Sequence, residues 1–136
     1  MIPENIILLK IWHPFCRCIV ERVKTILHGT ATDKKQAGAD FYLFNFNTLP
    51  DYYINIEEAY ALGWKLGKDL SKFAPNKMLA KGEYQNYNEH LPTGRIWYEA
   101  DINYYEGKRN RHRILWSNDG LIFVTYDHYE TFYEII

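Results

Sequence analysis

Three features in the last third of the chain could move a proton or hold an anion. Glu99 stands midway along an alternating stretch, Arg95–Asn103, between Trp97 and Asp101. A carboxylate on a partly covered sheet face has its pKa raised and can act as a base near neutral pH. Lys108, Arg109, Arg111 and Arg113 crowd one short run together with His112. Guanidinium groups grip phosphate oxygens as a fork, so this run could clamp a phosphate. His128 sits among Tyr126, Asp127 and Tyr129, where a turn leads into the last strand-like segment. Imidazole readily gives and takes a proton at neutral pH. Each feature also has an ordinary reading: a solvated strand glutamate, a solvated basic loop, a satisfied surface histidine. Together they suggest one reaction, the metal-free cleavage of a phosphodiester. Glu99 would take the proton of a ribose 2′-hydroxyl. The arginines would hold the charge that develops at phosphorus, and His128 would protonate the leaving 5′-oxygen. A 2′-hydroxyl nucleophile confines that chemistry to RNA.

Elements must position these groups, and the chain changes character along its length. Residues 1–36 read as an extension, an amphipathic helix or a linker, ahead of a domain over 37–136. Pro14 could open the helix and Gly29 close it, with Phe15, Ile19, Val20, Val23, Ile26 and Leu27 at helical spacing. Its basic second face also fits a helix lying on a membrane surface. Residues 37–47 predict a second, aromatic helix. Asn55 and Glu58 form a capping-box pattern ahead of a helix over Ile56–Leu62 that ends at Gly63. A helical turn is expected around Leu70–Ala74, stopped by Pro75. After Pro92 the period falls to two. Ile96, Tyr98, Ala100 and Ile102 face one way, and Trp97, Glu99 and Asp101 the other. Arg113–Ser117 and Leu121–Thr125 read as a hairpin across Asn118-Asp119-Gly120, and Tyr129–Ile135 as a last strand. Helices followed by antiparallel strands argue for an α+β fold.

The chain has 136 residues, 16 Lys plus Arg, 17 Asp plus Glu and a net charge of −1. That excludes a strongly basic nucleic-acid binder but leaves room for a local basic site. Its 17% aromatic content argues against disorder. No apolar run is long enough to span a bilayer. Met1–Lys10 is a poor secretory signal, lacking a basic lead. His13, Cys16, Cys18 and His28 could hold zinc, but the Cys-x-Cys spacing does not suit a finger knuckle. No metal or cofactor is expected.

From Leu49 to Ile135 the sequence resembles the barnase-like, bacterial branch of the microbial guanyl-preferring ribonucleases. The resemblance rests on Leu49-Pro50-Asp51, Tyr53-Ile54, Glu58-Ala59, Ala61-Leu62-Gly63-Trp64 and Ala74-Pro75. It continues through Gly94-Arg95, Glu99-Ala100-Asp101-Ile102-Asn103-Tyr104, Arg109-Asn110, Arg113-Ile114-Leu115, Asp127-His128-Tyr129 and Thr131-Phe132. It implies helices near the N-terminus packed on a five-stranded antiparallel sheet, with the site on the open face. It implies Glu99 as general base, His128 as general acid, Arg109 and Arg113 as phosphate clamp and Tyr129 as a substrate contact. Asp101 would hold the arginines, and Arg95 with Asp119 would form a structural ion pair. Asn86, Tyr87 and Asn88 fall on the guanine-reading loop. There the family's arginine becomes Tyr87 and its carboxylate Asn88, while its active-site lysine becomes Ile56. Residues 49–136 carry 10 Lys plus Arg against 13 Asp plus Glu, which predicts weaker nonspecific RNA affinity. The implied enzyme cuts single-stranded RNA through a 2′,3′-cyclic phosphate, acts as a monomer, is secreted, and meets a small acidic inhibitor of the barstar type. A weakened RNA- or inhibitor-binding relic, or the toxin domain of a delivered effector, are the competing expectations.

Overall fold

The computed structural model describes residues 24–136. Seven strands are formed: β1 Lys24–Ile26, β2 Tyr53–Asn55, β3 Met78–Tyr84, β4 Trp97–Asp101, β5 Arg113–Ser117, β6 Ile122–Thr125 and β7 Tyr133–Ile135. Among the described residues two α-helices accompany them, α1 Ala39–Phe46 and α2 Ile56–Ala61, with 3-10 turns at Lys35–Ala37 and Leu70–Lys72. All seven strands join one sheet in the order β1-β7-β6-β5-β4-β3-β2.

The α+β expectation holds, and the sheet differs from the five antiparallel strands expected. Strands β3 to β7 do form an antiparallel run of five. A short parallel strand is added at each edge, β1 beside β7 and β2 beside β3. Three residues are too few for a period of two to stand out in the sequence. Both helices precede β3, but among the described residues β1 precedes them.

Lys24–Ile26 is therefore a strand and not the last turn of the expected N-terminal helix. The remainder of that helix, with His13, Cys16 and Cys18, lies outside the described residues. Backbone pairing overrides helical periodicity here. The ladder is extended by His28 N–H donating to the Ile136 carbonyl (2.9 Å) and Ile136 N–H to the Ile26 carbonyl (3.0 Å). The expected strand Tyr129–Ile135 shortens to β7, because His128 and Tyr129 take positive φ values of 60° and 76°. Strand β3 carries no clean alternation, since Lys81, Gly82 and Glu83 interrupt it. Among the described residues no helix is long and apolar enough to cross a membrane.

Alternation along the central strands divides the two faces. Ala100, Ile102, Ile114, Ile122 and Val124 bury one face against Ala39 and Leu43 of α1. At the neighbouring end, Ala59 of α2 packs with Trp64, Leu70, Ala74, Met78 and Leu79. The capping box at the start of α2 forms as expected, with Asn55 accepting from Glu58 N–H (2.7 Å) and Glu58 from Asn55 N–H (2.8 Å). On the opposite face Leu91, Trp97, Leu115, Leu121 and Phe123 make a third cluster, flanked by Tyr84, Tyr129 and Phe132. Glu99 belongs to this second face, one alternation from Trp97 and one from Asp101.

A buried carboxylate ties β1 to the rest. Asp40 is fully buried in α1 and accepts from Gly29 N–H (2.7 Å) and Ala31 N–H (3.0 Å). Asp40→Ala would strand both donors, each costing about 1–3 kcal/mol when buried and unpaired. We expect a loss of at least about 2 kcal/mol in urea unfolding. A loss below about 0.5 kcal/mol, the range of surface changes, would show that the turn does not depend on this carboxylate.

Candidate active site

The second face places an acid group, two guanidiniums and an imidazole side by side. Asp101 ends β4 with no exposed surface. Arg109 reaches it as a fork, Nε to Oδ2 at 2.6 Å and Nη2 to Oδ1 at 2.7 Å. Arg113, opposite Asp101 in the β4–β5 register, brings Nε to 3.2 Å from Oδ1. Its Nη1 donates to the backbone carbonyls of Asn110 (2.7 Å) and His112 (2.8 Å). One carboxylate thus orients two cations, and the Arg109 pKa is raised chiefly by the hydrogen bonds to Asp101.

Glu99 is 7% exposed, so it is not the solvated strand glutamate of the ordinary reading. Its Oε1 accepts the hydroxyl of Tyr129. Burial first, then that hydrogen bond and the carboxylate's charge, push the Tyr129 hydroxyl well above its ordinary pKa. The tyrosine therefore stays a donor at neutral pH. Tyr84 stacks on it with ring centroids 5.2 Å apart.

His128 is exposed at the tip of a turn built by Asp127. Asp127 Oδ1 accepts from Thr131 N–H (2.8 Å), Glu130 N–H (3.1 Å) and the Thr125 hydroxyl (2.9 Å). These bonds, led by the Thr131 backbone, hold the Asp127 pKa down to about 2. The turn is completed by His128 N–H donating to the Arg111 carbonyl at 3.1 Å. The His128 pKa is lowered, first by partial desolvation, then by the charges of Arg113 and Arg111, with Lys81 adding to them and Glu99 opposing.

These groups border a cleft of about 330 Å³ lined by Gly67, Lys68, Lys108, Arg109, Asn110, Arg111, Arg113 and His128. Five Lys or Arg side chains and no carboxylate line it, in a chain of net charge −1. Such a concentration of fixed positive charge selects a polyanion. The long-range partner Lys68 was hidden in the sequence, since nothing local links the Gly67 turn to a site forty residues on. Tyr84 was equally silent, lying in the strand that alternation did not reveal.

Residues 32–136 match the ribonuclease family. The chain belongs to the ribonuclease family. It is 42% identical over 112 residues to a ribonuclease of Bacillus intermedius, a match covering 80% of this chain and 69% of the relative. A ribonuclease of Bacillus pumilus matches to the same extent. A ribonuclease of Heyndrickxia coagulans is 45% identical over 101 residues, covering 72% of this chain and 93% of its own. The resemblance read from the motifs therefore stands, and this ribonuclease is an endoribonuclease with RNA as its substrate class.

Other positions singled out in the sequence lie outside the cleft lining. The ribonuclease pairs Arg95 Nε with Asp119 Oδ2 at 3.5 Å, away from the cleft lining. Asn86 spends its side chain on its own loop, donating to the Leu91 carbonyl (2.7 Å) and accepting from Leu91 N–H (3.2 Å). Tyr87 is 87% exposed, and Asn88 beside it is exposed too. His90 joins this loop to the Tyr129 carbonyl at 3.4 Å. Ile56 begins α2 and packs on the second core cluster, so it puts no charge near the cleft. Among the described residues no three His, Cys, Asp or Glu side chains are gathered as a metal site.

Proposed function

We propose that this ribonuclease cuts single-stranded RNA by attack of the ribose 2′-hydroxyl, with acid, base and counter-charge all supplied by side chains. Glu99 takes the 2′-hydroxyl proton, and its buried oxygen is kept in line by Tyr129. Arg109 and Arg113, held by Asp101, bind the non-bridging oxygens as charge grows there. His128 donates a proton to the 5′-oxygen as the bond to phosphorus breaks. A 2′,3′-cyclic phosphate results, and water opens it with the two proton carriers in reversed roles. The observation that carries this reading is the arginine- and histidine-lined cleft, with Glu99 on the same face of the sheet.

The loop at residues 85–92 is the proposed base-reading edge. Tyr87 offers a stacking surface for an unpaired base, and Asn88 an amide for its edge; Asn86 shapes the loop that presents them. A purine, guanine first, is the proposed preference. Unstacked bases are reachable only in single strands, which favours loops over duplex. The same positive cleft suits an acidic inhibitor protein of the barstar type. We further propose a monomer acting outside the cell.

The test is cleavage of a short RNA with EDTA present, followed by product analysis. We expect undiminished rate, a 2′,3′-cyclic product, and no cleavage where the 2′-hydroxyl is methylated. His128 must enter the reaction protonated, so kcat/KM falls as pH rises through its pKa. Because that pKa is lowered in the free enzyme, the limb should lie below the ordinary imidazole value. Loss of activity on chelation, or cleavage of the methylated substrate, would overturn the mechanism.

A further inference from the structure

Strand β3 carries a charged residue that the mechanism above leaves unused. Ala80 pairs with Ala100, but Gly82 pairs with Glu99, so the register slips by one and Lys81 is the extra residue. Lys81 and Gly82 together thus stand opposite Glu99. A bulge of this kind bends its strand and re-aims a side chain, and bulges gather beside active sites. Gly82 makes the irregularity possible with a φ of +92° that side-chain-bearing residues resist. Apart from its two chain neighbours, nothing lies within 4 Å of where a Cβ on Gly82 would be, so the bulge is not packed over at this point.

The ammonium of Lys81 is uncommitted. Among the described residues it forms no ion pair, whereas Arg95, Arg109 and Arg113 each have an acid partner. Ile56, which opens α2 next to the Asn55–Ala80 pairing, supplies no charge of its own. Lys81 is also near enough to His128 to help lower its pKa, with less effect than Arg113 and Arg111. The cleft's cations approach from the Gly67 turn, from the loop after β4 and from β5. None of them comes from β3, the strand that pairs with Glu99 on the other edge of β4.

We propose that Lys81 is a further catalytic residue, its ammonium binding a non-bridging oxygen of the scissile phosphate from the β3 side. This rests on the proposed assignment of Glu99 and His128. A lysine on a bulge is suited to the task, because its long unbranched stem can follow the phosphate as its geometry changes. A fork-shaped group fixed by a partner could not.

The test uses a dinucleoside monophosphate, which has no flanking phosphate for Lys81 to hold instead. Lys81→Met keeps the length of the side chain and removes the charge. We expect kcat to fall on the order of a hundredfold, the scale for losing one contact made to the transition state. KM should change far less, and Lys81→Arg should recover part of the rate. Lys72→Met, an exposed lysine outside the cleft, serves as the control and should match the natural enzyme. An NMR titration of His128 adds a readout that misfolding would not give. Its pKa should rise in Lys81→Met, since a like charge has gone. An unchanged kcat, or a change in KM alone, would overturn the proposal. Running Glu99→Gln in parallel separates the two claims. If that variant stays active, the underlying assignment has failed; if it is dead while Lys81→Met is not, only the lysine has.

Discussion

Glu99→Gln is expected to lower kcat by roughly 10²- to 10⁴-fold, the range for removing a general base. The effect should fall on kcat more than on KM, because the 2′-hydroxyl proton moves only in the transition state. The substitution is nearly isosteric, and an amide oxygen can still accept the Tyr129 hydroxyl seen at Glu99. Folding should therefore survive. Glu99 and Asp101 are two buried carboxylates on the same face of β4. Neutralising Glu99 relieves its repulsion with Asp101 and removes its attraction for Arg109, two opposed changes, so we expect no large loss of stability in urea unfolding. Activity held within about threefold of the natural enzyme would remove Glu99 from the role of base, since general-base removal costs far more than that. A large loss of stability would instead mean that the carboxylate is a structural anchor. The predicted separation, function lost and fold kept, distinguishes a reactive group from a supporting one.

How far this was legible in the sequence depended on how local each signal was. The faces of β4 followed from alternation, which needs only successive residues, and so Glu99 and Asp101 were placed on one side from the start. The capping box at Asn55 and Glu58 was readable for the same reason. Arg109, Arg113 and His128 stood out by type and crowding, though crowding alone could not distinguish a solvated loop from a clamp. What favours the clamp is Asp101, buried and shared by both guanidiniums. That geometry exists only once β4 and β5 are paired. Strands β1 and β2 were invisible because their reason for being strands lies in β7 and β3, far along the chain. The bulge at Lys81 was hidden by the same logic. A register slip is a property of two strands, and β3 alone reads as broken polar sequence. Asn86 shows the opposite case. Its type matched the expected base-reading position, but both ends of its amide are occupied by Leu91. Composition carries no spatial information. The acidic balance of residues 49–136 predicts weak nonspecific RNA binding, but it averages over a surface whose cleft is lined by five cations.

Asp101→Asn should be the most damaging single change in the site, because it attacks fold and function at once. The carboxylate is wholly buried and faces Arg109 Nε at 2.6 Å, Arg109 Nη2 at 2.7 Å and Arg113 Nε at 3.2 Å. Both guanidiniums remain charged when the acid is removed, since arginine does not give up its proton in a protein. Arg113 is itself only 5% exposed, so its charge cannot turn outward to water. Removing one partner of a buried pair typically costs about 3–5 kcal/mol. We expect a loss of that order in urea unfolding, against no large one for Glu99→Gln. Activity should fall as well, even under conditions where the variant is fully folded, because the fork that aims Arg109 has lost its acceptor. That loss should appear in KM and kcat together, as both binding and charge stabilisation use the same cations. Phosphate or a mononucleotide should partly restore stability by supplying the missing negative charge, and more so in Asp101→Asn than in the natural enzyme. This last comparison is the sensitive one. If added phosphate stabilises both proteins equally, the two guanidiniums are not aimed into the cleft. A greater gain in the variant means that Asp101 occupies, from beneath, the same cations that the substrate phosphate meets from above.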